Sequence, residues 1–110
     1  MNKIELLEIL GLERKVTLCL LSINTLKEAT SKQIEKAAGL KQPEVSKGLR
    51  TLMECDFIYR EIIKKRQRGR PQNVYHMKKS AAEIVKILEK RNEKEFDRKK
   101  RAAEDLYSLF

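Results

Sequence analysis

The chain has 110 residues, enough for one domain with a modest core and little space for a separate catalytic domain. No run of about eighteen apolar residues occurs, so the sequence offers no membrane-spanning helix. Lysine and arginine number 25 against 16 aspartate and glutamate, a net charge of +9 that points to a polyanionic partner such as nucleic acid.

A charge-rich thermophilic surface would also be dense in ions, but its signs would balance. The apolar residues of the first turns are interrupted by Glu5 and Glu8, unlike a secretory leader, and a cytoplasmic location is expected. Cys19 and Cys55 make no disulfide framework and sit in apolar helical patterns. His76 is the single histidine, so no histidine-rich metal site is expected. With no phosphate loop or nucleophile–base pair in view, neither an enzyme nor a cofactor is expected.

In chain order, an opening helix places Ile4, Leu6, Leu7 and Leu10 on one side and stops at Gly11. A second helix, Glu13 to Asn24, turns Val16, Cys19, Leu20 and Ile23 one way and Leu18 and Leu21 nearly the other. It therefore needs cover on both sides. Thr30 and Gln33 have capping-box spacing and open a short helix whose Ile34, Ala37 and Ala38 point inward, ended by Gly39. Pro43 sits in the first turn of a further helix that runs to about Cys55. Two short helices joined through a tight glycine turn are the sequence form of a helix-turn-helix.

In that second short helix Val45, Leu49 and Leu52 fall within about 60° of one another on a helical wheel. The opposite side presents Lys47, Arg50 and Glu54, with Ser46 and Thr51 at its edges and Gln42 and Glu44 in the first turn. Gln42 can pair bidentately with adenine, Arg50 or Lys47 with guanine, and Ser46 with a base or a phosphate. Ser31 and Lys32, at the start of the preceding helix, are expected on the DNA backbone.

A strand-rich stretch from Phe57 to Lys65 follows, then a turn and a second strand from Asn73 to Met77. The intervening run Lys64-Lys65-Arg66-Gln67-Arg68-Gly69-Arg70-Pro71 holds five positive charges and no negative one. Its Arg68-Gly69-Arg70-Pro71 matches the core of the AT-hook. Glycine lets the backbone approach a narrow groove, proline keeps the chain extended, and arginine is drawn to the negative potential there. Lys65, Arg66, Arg68, Gly69 and Arg70 are therefore expected on DNA, in the minor groove or on phosphates.

From Ser80 onward one long helix is expected, with Ile84, Leu88, Ala102, Leu106 and Leu109 on one face and Phe96 beside it. Arg91, Asn92, Glu95 and Lys99 interrupt the middle of that face. A helix so long and sparsely apolar needs a partner, most simply the same helix in a second subunit. Ile84, Leu88, Phe96, Leu106 and Leu109 are the expected dimer contacts.

The chain is thus expected to be mainly α with a small β-hairpin, an α+β winged helix-turn-helix. Residues 1–79 form the DNA-binding domain, with its wing at about 57–77, and residues 80–110 the dimerisation helix. Ser31-Lys32-Gln33-Ile34, Gln42-Pro43-Glu44-Val45-Ser46 and Gly69-Arg70-Pro71 resemble small archaeal-type winged-helix regulators related to the MarR, ArsR and TrmB groups, over roughly residues 12 to 90. The resemblance implies a homodimer on a palindromic double-stranded DNA site. Base contacts would come from Gln42, Glu44, Ser46, Lys47 and Arg50, and wing contacts from Arg68 and Arg70. Cys55 stands alone where metal-sensing ArsR members carry paired cysteines, which argues against a metal sensor. Two other uses of the same surface are an RNA-binding or architectural module and a protein-interaction subunit.

Overall fold

The computed structural model of the chain describes residues 1–64 and 69–110. Among them run α1 (Lys3–Ile9), α2 (Arg14–Leu26), β1 (Glu28–Thr30), α3 (Ser31–Ala38), α4 (Gln42–Glu54), β2 (Ile58–Ile63), β3 (Gln72–Met77) and α5 (Ala81–Leu109). This is the expected mainly α fold with a small antiparallel sheet.

Asn2 opens α1, its side chain accepting the Glu5 N–H at 2.9 Å. Gly11, at φ +105°, turns the chain into α2 in a conformation that disfavours other residues. Only Leu7 of α1 is buried, while Leu6 and Ile9 are 46% and 65% exposed. The apolar side expected for this helix therefore stays half open. On α2, Val16, Cys19, Leu20 and Ile23 are buried as their spacing requires, and Leu18 and Leu21 are half-buried. The helix runs on to Leu26, two residues past the expected Asn24, and Lys27 ends it at φ +73°.

Three residues without strand periodicity then form β1, which the sequence does not announce. Ala29 is 1% exposed and faces Tyr75 in an antiparallel pairing with β3, and the sheet order is β1-β3-β2. The Thr30 capping box is present: its hydroxyl accepts from Gln33 N at 3.3 Å and its N–H donates to Gln33 Oε1 at 2.9 Å. Of the three residues expected to point inward from α3, Ile34 is fully buried and Ala38 half-buried, but Ala37 is exposed. The eight-residue helix buries a single stripe through Ile34 and Ala38, and Ala37 is off it.

Gly39 adopts the left-handed conformation after α3 (φ +67°, ψ +33°), and both its N–H and that of Leu40 return to the Glu35 carbonyl. Two residues later α4 begins. Its Val45, Leu49 and Leu52 enter the core at 2% exposure or less. Gly48 faces α2 so closely that a Cβ there would meet Cys19 Sγ at 2.8 Å. That contact sets how near α4 can approach.

Phe57 is fully buried ahead of β2. The β2–β3 hairpin pairs Ile58 with Met77 through to Ile63 with Gln72, so its second strand starts one residue earlier than expected. Beyond Ile58 every β2 residue is exposed, whereas Val74 and Tyr75 of β3 are buried, so only the outer strand of the hairpin stands clear of the core. His76 holds the three strands together: Nε2 is 2.9 Å from Glu61 on β2, Nδ1 is 3.8 Å from Glu28 on β1, and Tyr59 stacks on the ring at 4.9 Å.

Ser80 caps the 29-residue α5, accepting from Glu83 N at 3.2 Å. Ile84 and Leu88, expected at a dimer contact, are instead 1% and 3% exposed within the chain's own core. The first turns of α5 roof the domain, and this consumes them. Arg91 and Asn92 belong to the same roof. Arg91 lies over the Phe57 ring at 5.4 Å, and Asn92 donates to the Leu10 carbonyl at 2.7 Å. Past them the helix projects away, and the molecule measures 69 × 27 × 25 Å.

Candidate nucleic-acid interface

The buried stripe of α4 fixes which side chains face outward. With Val45, Leu49 and Leu52 inside, Gln42, Ser46, Lys47, Arg50 and Glu54 are exposed and Thr51 lies at the edge. Gln42 Nε2 donates to Ser46 Oγ at 3.0 Å, so one amide and one hydroxyl are held side by side on the first turns. The Thr51 hydroxyl is turned inward along the helix, donating to the Lys47 carbonyl at 3.2 Å. Among the described residues Lys32, Lys47 and Arg50 form no ion pair.

Glu44 has a different place from the one the resemblance implies. Its Oε1 accepts the Lys41 N–H at 3.0 Å, capping α4, and its Oε2 meets Lys15 Nζ on α2 at 2.9 Å. The Lys41 backbone bond, then the Lys15 ammonium, hold this carboxyl below its ordinary range, and the same carboxylate raises Lys15. Both carboxylate oxygens are thus engaged within the chain in bracing the helix, at the residue from which the resemblance implies a base contact. The sequence alone does not point to Lys15. Nothing in its spacing relates it to α4, and only the packing of α2 against α4 brings the two together.

The base of the wing is braced in a similar way. Asp56, at φ +64° between α4 and β2, receives Lys78 Nζ at 2.6 Å and Lys79 Nζ at 3.2 Å. Those two ammonium groups, Lys78 foremost, keep its carboxyl below the usual range. Gly69 and Arg70 are exposed and immediately precede Pro71 and β3. Lys65, Arg66 and Arg68 lie outside the described residues. Ser31 and Lys32 occupy the first turn of α3, half-buried and exposed respectively.

Neither cysteine forms a disulfide. Burial pushes the Cys19 thiol up to about 11, so it is a packing atom rather than a nucleophile at neutral pH. Cys55 Sγ accepts weakly from Arg91 at 3.8 Å. No group of three metal-ligating side chains occurs among the described residues.

This arrangement is a winged helix-turn-helix: α3, a glycine turn and α4, then a hairpin carrying a basic connection. Comparison with solved structures places the chain in the same fold as known regulators. A possible transcriptional regulator from Methanosarcina mazei superposes with a TM-score of 0.72 at 18% identity, over 94% of this chain and 88% of that one. Stf76 from the Sulfolobus islandicus plasmid-virus pSSVx matches at a TM-score of 0.52 and 20% identity, over 66% of this chain and 91% of that one. A MarR family regulator from Neisseria meningitidis matches at 0.55 and 19%, over 96% and 78%. At these identities the likeness is one of fold. No protein-family model matches the chain, and no curated protein matches its sequence.

Proposed function

We propose that the chain binds double-stranded DNA as a homodimeric transcriptional regulator, with α4 in the major groove and the basic connection between β2 and β3 on the minor groove or the phosphate backbone. One observation carries this reading above the rest. On a helix whose other side is wholly committed to the core, Gln42, Ser46, Lys47 and Arg50 are exposed together, and neither cation has an acidic partner among the described residues. Early residues of the second helix of such a motif reach base edges, and these four side chains supply an amide, a hydroxyl and two cations there. Lys32 on α3, Gly69 and Arg70 beside the wing, and the overall charge of +9 supply backbone affinity. The fold neighbours described as transcriptional regulators support the same reading.

The test is a mobility-shift titration of the full chain on genomic duplex fragments at several salt concentrations. If a dimer neutralises about six to ten phosphates, affinity falls by roughly 10³- to 10⁵-fold between about 50 and 200 mM salt. A flat response contradicts the proposal. Preference for structured RNA over duplex in the same assay would transfer the surface to a different partner.

A further inference from the structure

Between α1 and the first turns of α5 runs an apolar groove of about 490 Å3, walled by Leu6, Ile9, Leu10, Ala81 and Val85 with Lys3 at its rim. It continues past Leu10 along α5 as a shallower depression beside Glu89, Asn92 and Phe96. Among the described residues none fills it. At the far end of the same helix Leu106, Tyr107, Leu109 and Phe110 are 52%, 84%, 78% and 103% exposed. The molecule therefore carries an open apolar groove and an uncovered apolar helix tip at opposite ends of one rod.

The residues along α5 relate the two. Val85, Glu89, Asn92, Phe96, Lys99, Ala103, Leu106 and Phe110 follow one another at steps of four and three, the seam of a two-helix coiled coil. That seam is symmetric about a point between Asp97 and Arg98. Reversed on itself, it sets Val85 against Phe110, Glu89 against Leu106, Asn92 against Ala103 and Phe96 against Lys99. In this antiparallel register no like charges meet in the seam, and Lys99 lies on an aromatic ring. At its flank Glu93 stands opposite Lys100. A parallel, in-register pairing would instead set Glu89 against Glu89 and Lys99 against Lys99, which repel. Charge thus selects the antiparallel pair.

We propose that the groove is the receptor for the C-terminal turns of α5 from a second copy of this chain, each copy docking its Leu106–Phe110 tip between α1 and α5 of the other. This rests on the homodimer part of the proposed function and gives it a register. Val85 to Phe110 spans about 37 Å at 1.5 Å per residue. The two grooves therefore lie at opposite ends of the pair, and the two DNA-binding units stand apart with their separation set by this helix. Leu6, Ile9 and Phe96, which the isolated chain leaves exposed, become buried.

The experiment has two parts, both on the full chain. Sedimentation equilibrium is expected to give a mass of two chains for wild type and of one chain for Leu106→Glu. Leu106 is half exposed and outside the buried core, so the domain should stay folded by circular dichroism, with at most fraying of the last turns of α5. For the register, with Cys55→Ser as background, oxidation of Val85→Cys/Phe110→Cys is expected to give a covalent dimer, whereas neither single cysteine variant does. A monomeric wild type, or a Phe110→Cys single variant that links to itself, overturns the proposal. A mobility shift on the same samples separates the two readings. Duplex binding by a monomeric wild type sinks this interface but not the DNA reading, and a correctly registered dimer that ignores duplex does the reverse.

Discussion

Gly48 lies where α2 and α4 come closest, and its value there comes from what it lacks. Alanine at this position would gain about 0.5–1 kcal/mol of helix propensity. It would also drive a methyl to 2.8 Å from the buried Cys19 sulfur, and overpacking of that kind costs about 1–3 kcal/mol. Gly48→Ala should therefore lose about 1 kcal/mol in urea unfolding. Combined with Cys19→Ala, which removes the sulfur, it should lose less than the two single changes added together. Glu44 offers a second test at this scale. Its carboxyl is held below the ordinary 4.5 in the folded chain, so the folded state is favoured while Glu44 is ionised, and that benefit is lost as pH falls through the lowered value. Wild type should melt higher than Glu44→Gln at neutral pH, and the gap should close on acidification below the ordinary carboxylate range. A gap that stays constant with pH would show that the brace to Lys41 and Lys15 contributes nothing ionic.

The elements divide according to how local their causes are. Gly39, Pro43, the Thr30–Gln33 pair and the Val45-Leu49-Leu52 stripe act within one or two turns, and the helix-turn-helix they specify is readable directly from the residues. β1 is not readable, because three residues carry no period and Ala29 is buried only by the strand it pairs with. Ile84 and Leu88 show the same limit differently. Their face is visibly apolar, but whether the cover is the chain's own core or a second subunit depends on how α5 is set on the domain, a tertiary placement in which Arg91 lies over Phe57 and Asn92 bonds Leu10. Glu44 shares the type and position of a base-reading residue, yet Lys15 and Lys41 occupy it. On α4 the side chains without such commitments carry the prediction. Arg50→Ala should leave the melting temperature within error, because the side chain is exposed. It should weaken binding to a preferred site by about 1–3 kcal/mol and relax the preference at one base pair. Lys32→Ala should instead weaken binding to all duplexes alike and reduce the salt slope by about one unit.

At the scale of the molecule, α5 and the charge of +9 dominate. Beyond Arg91 and Asn92 no residue of the helix is buried, so truncation after Glu93 should leave the domain folded. Under the proposed pairing it should also abolish self-association, and with it most of the affinity for a two-part site, since one half-site then has to bind alone. Titration by sedimentation and by mobility shift on the truncated and full chains checks both expectations.

In the proposed function α4, presented twice by a dimer, reads duplex sequence. This is tested most directly by selecting bound fragments from random duplex DNA with the full chain and aligning them. An enriched inverted repeat is expected, with half-sites about 10 bp apart or a multiple of that, and the enrichment should be lost in Arg50→Ala. Recovery of fragments with no shared sequence, or of an identical repeat from Arg50→Ala, would contradict it.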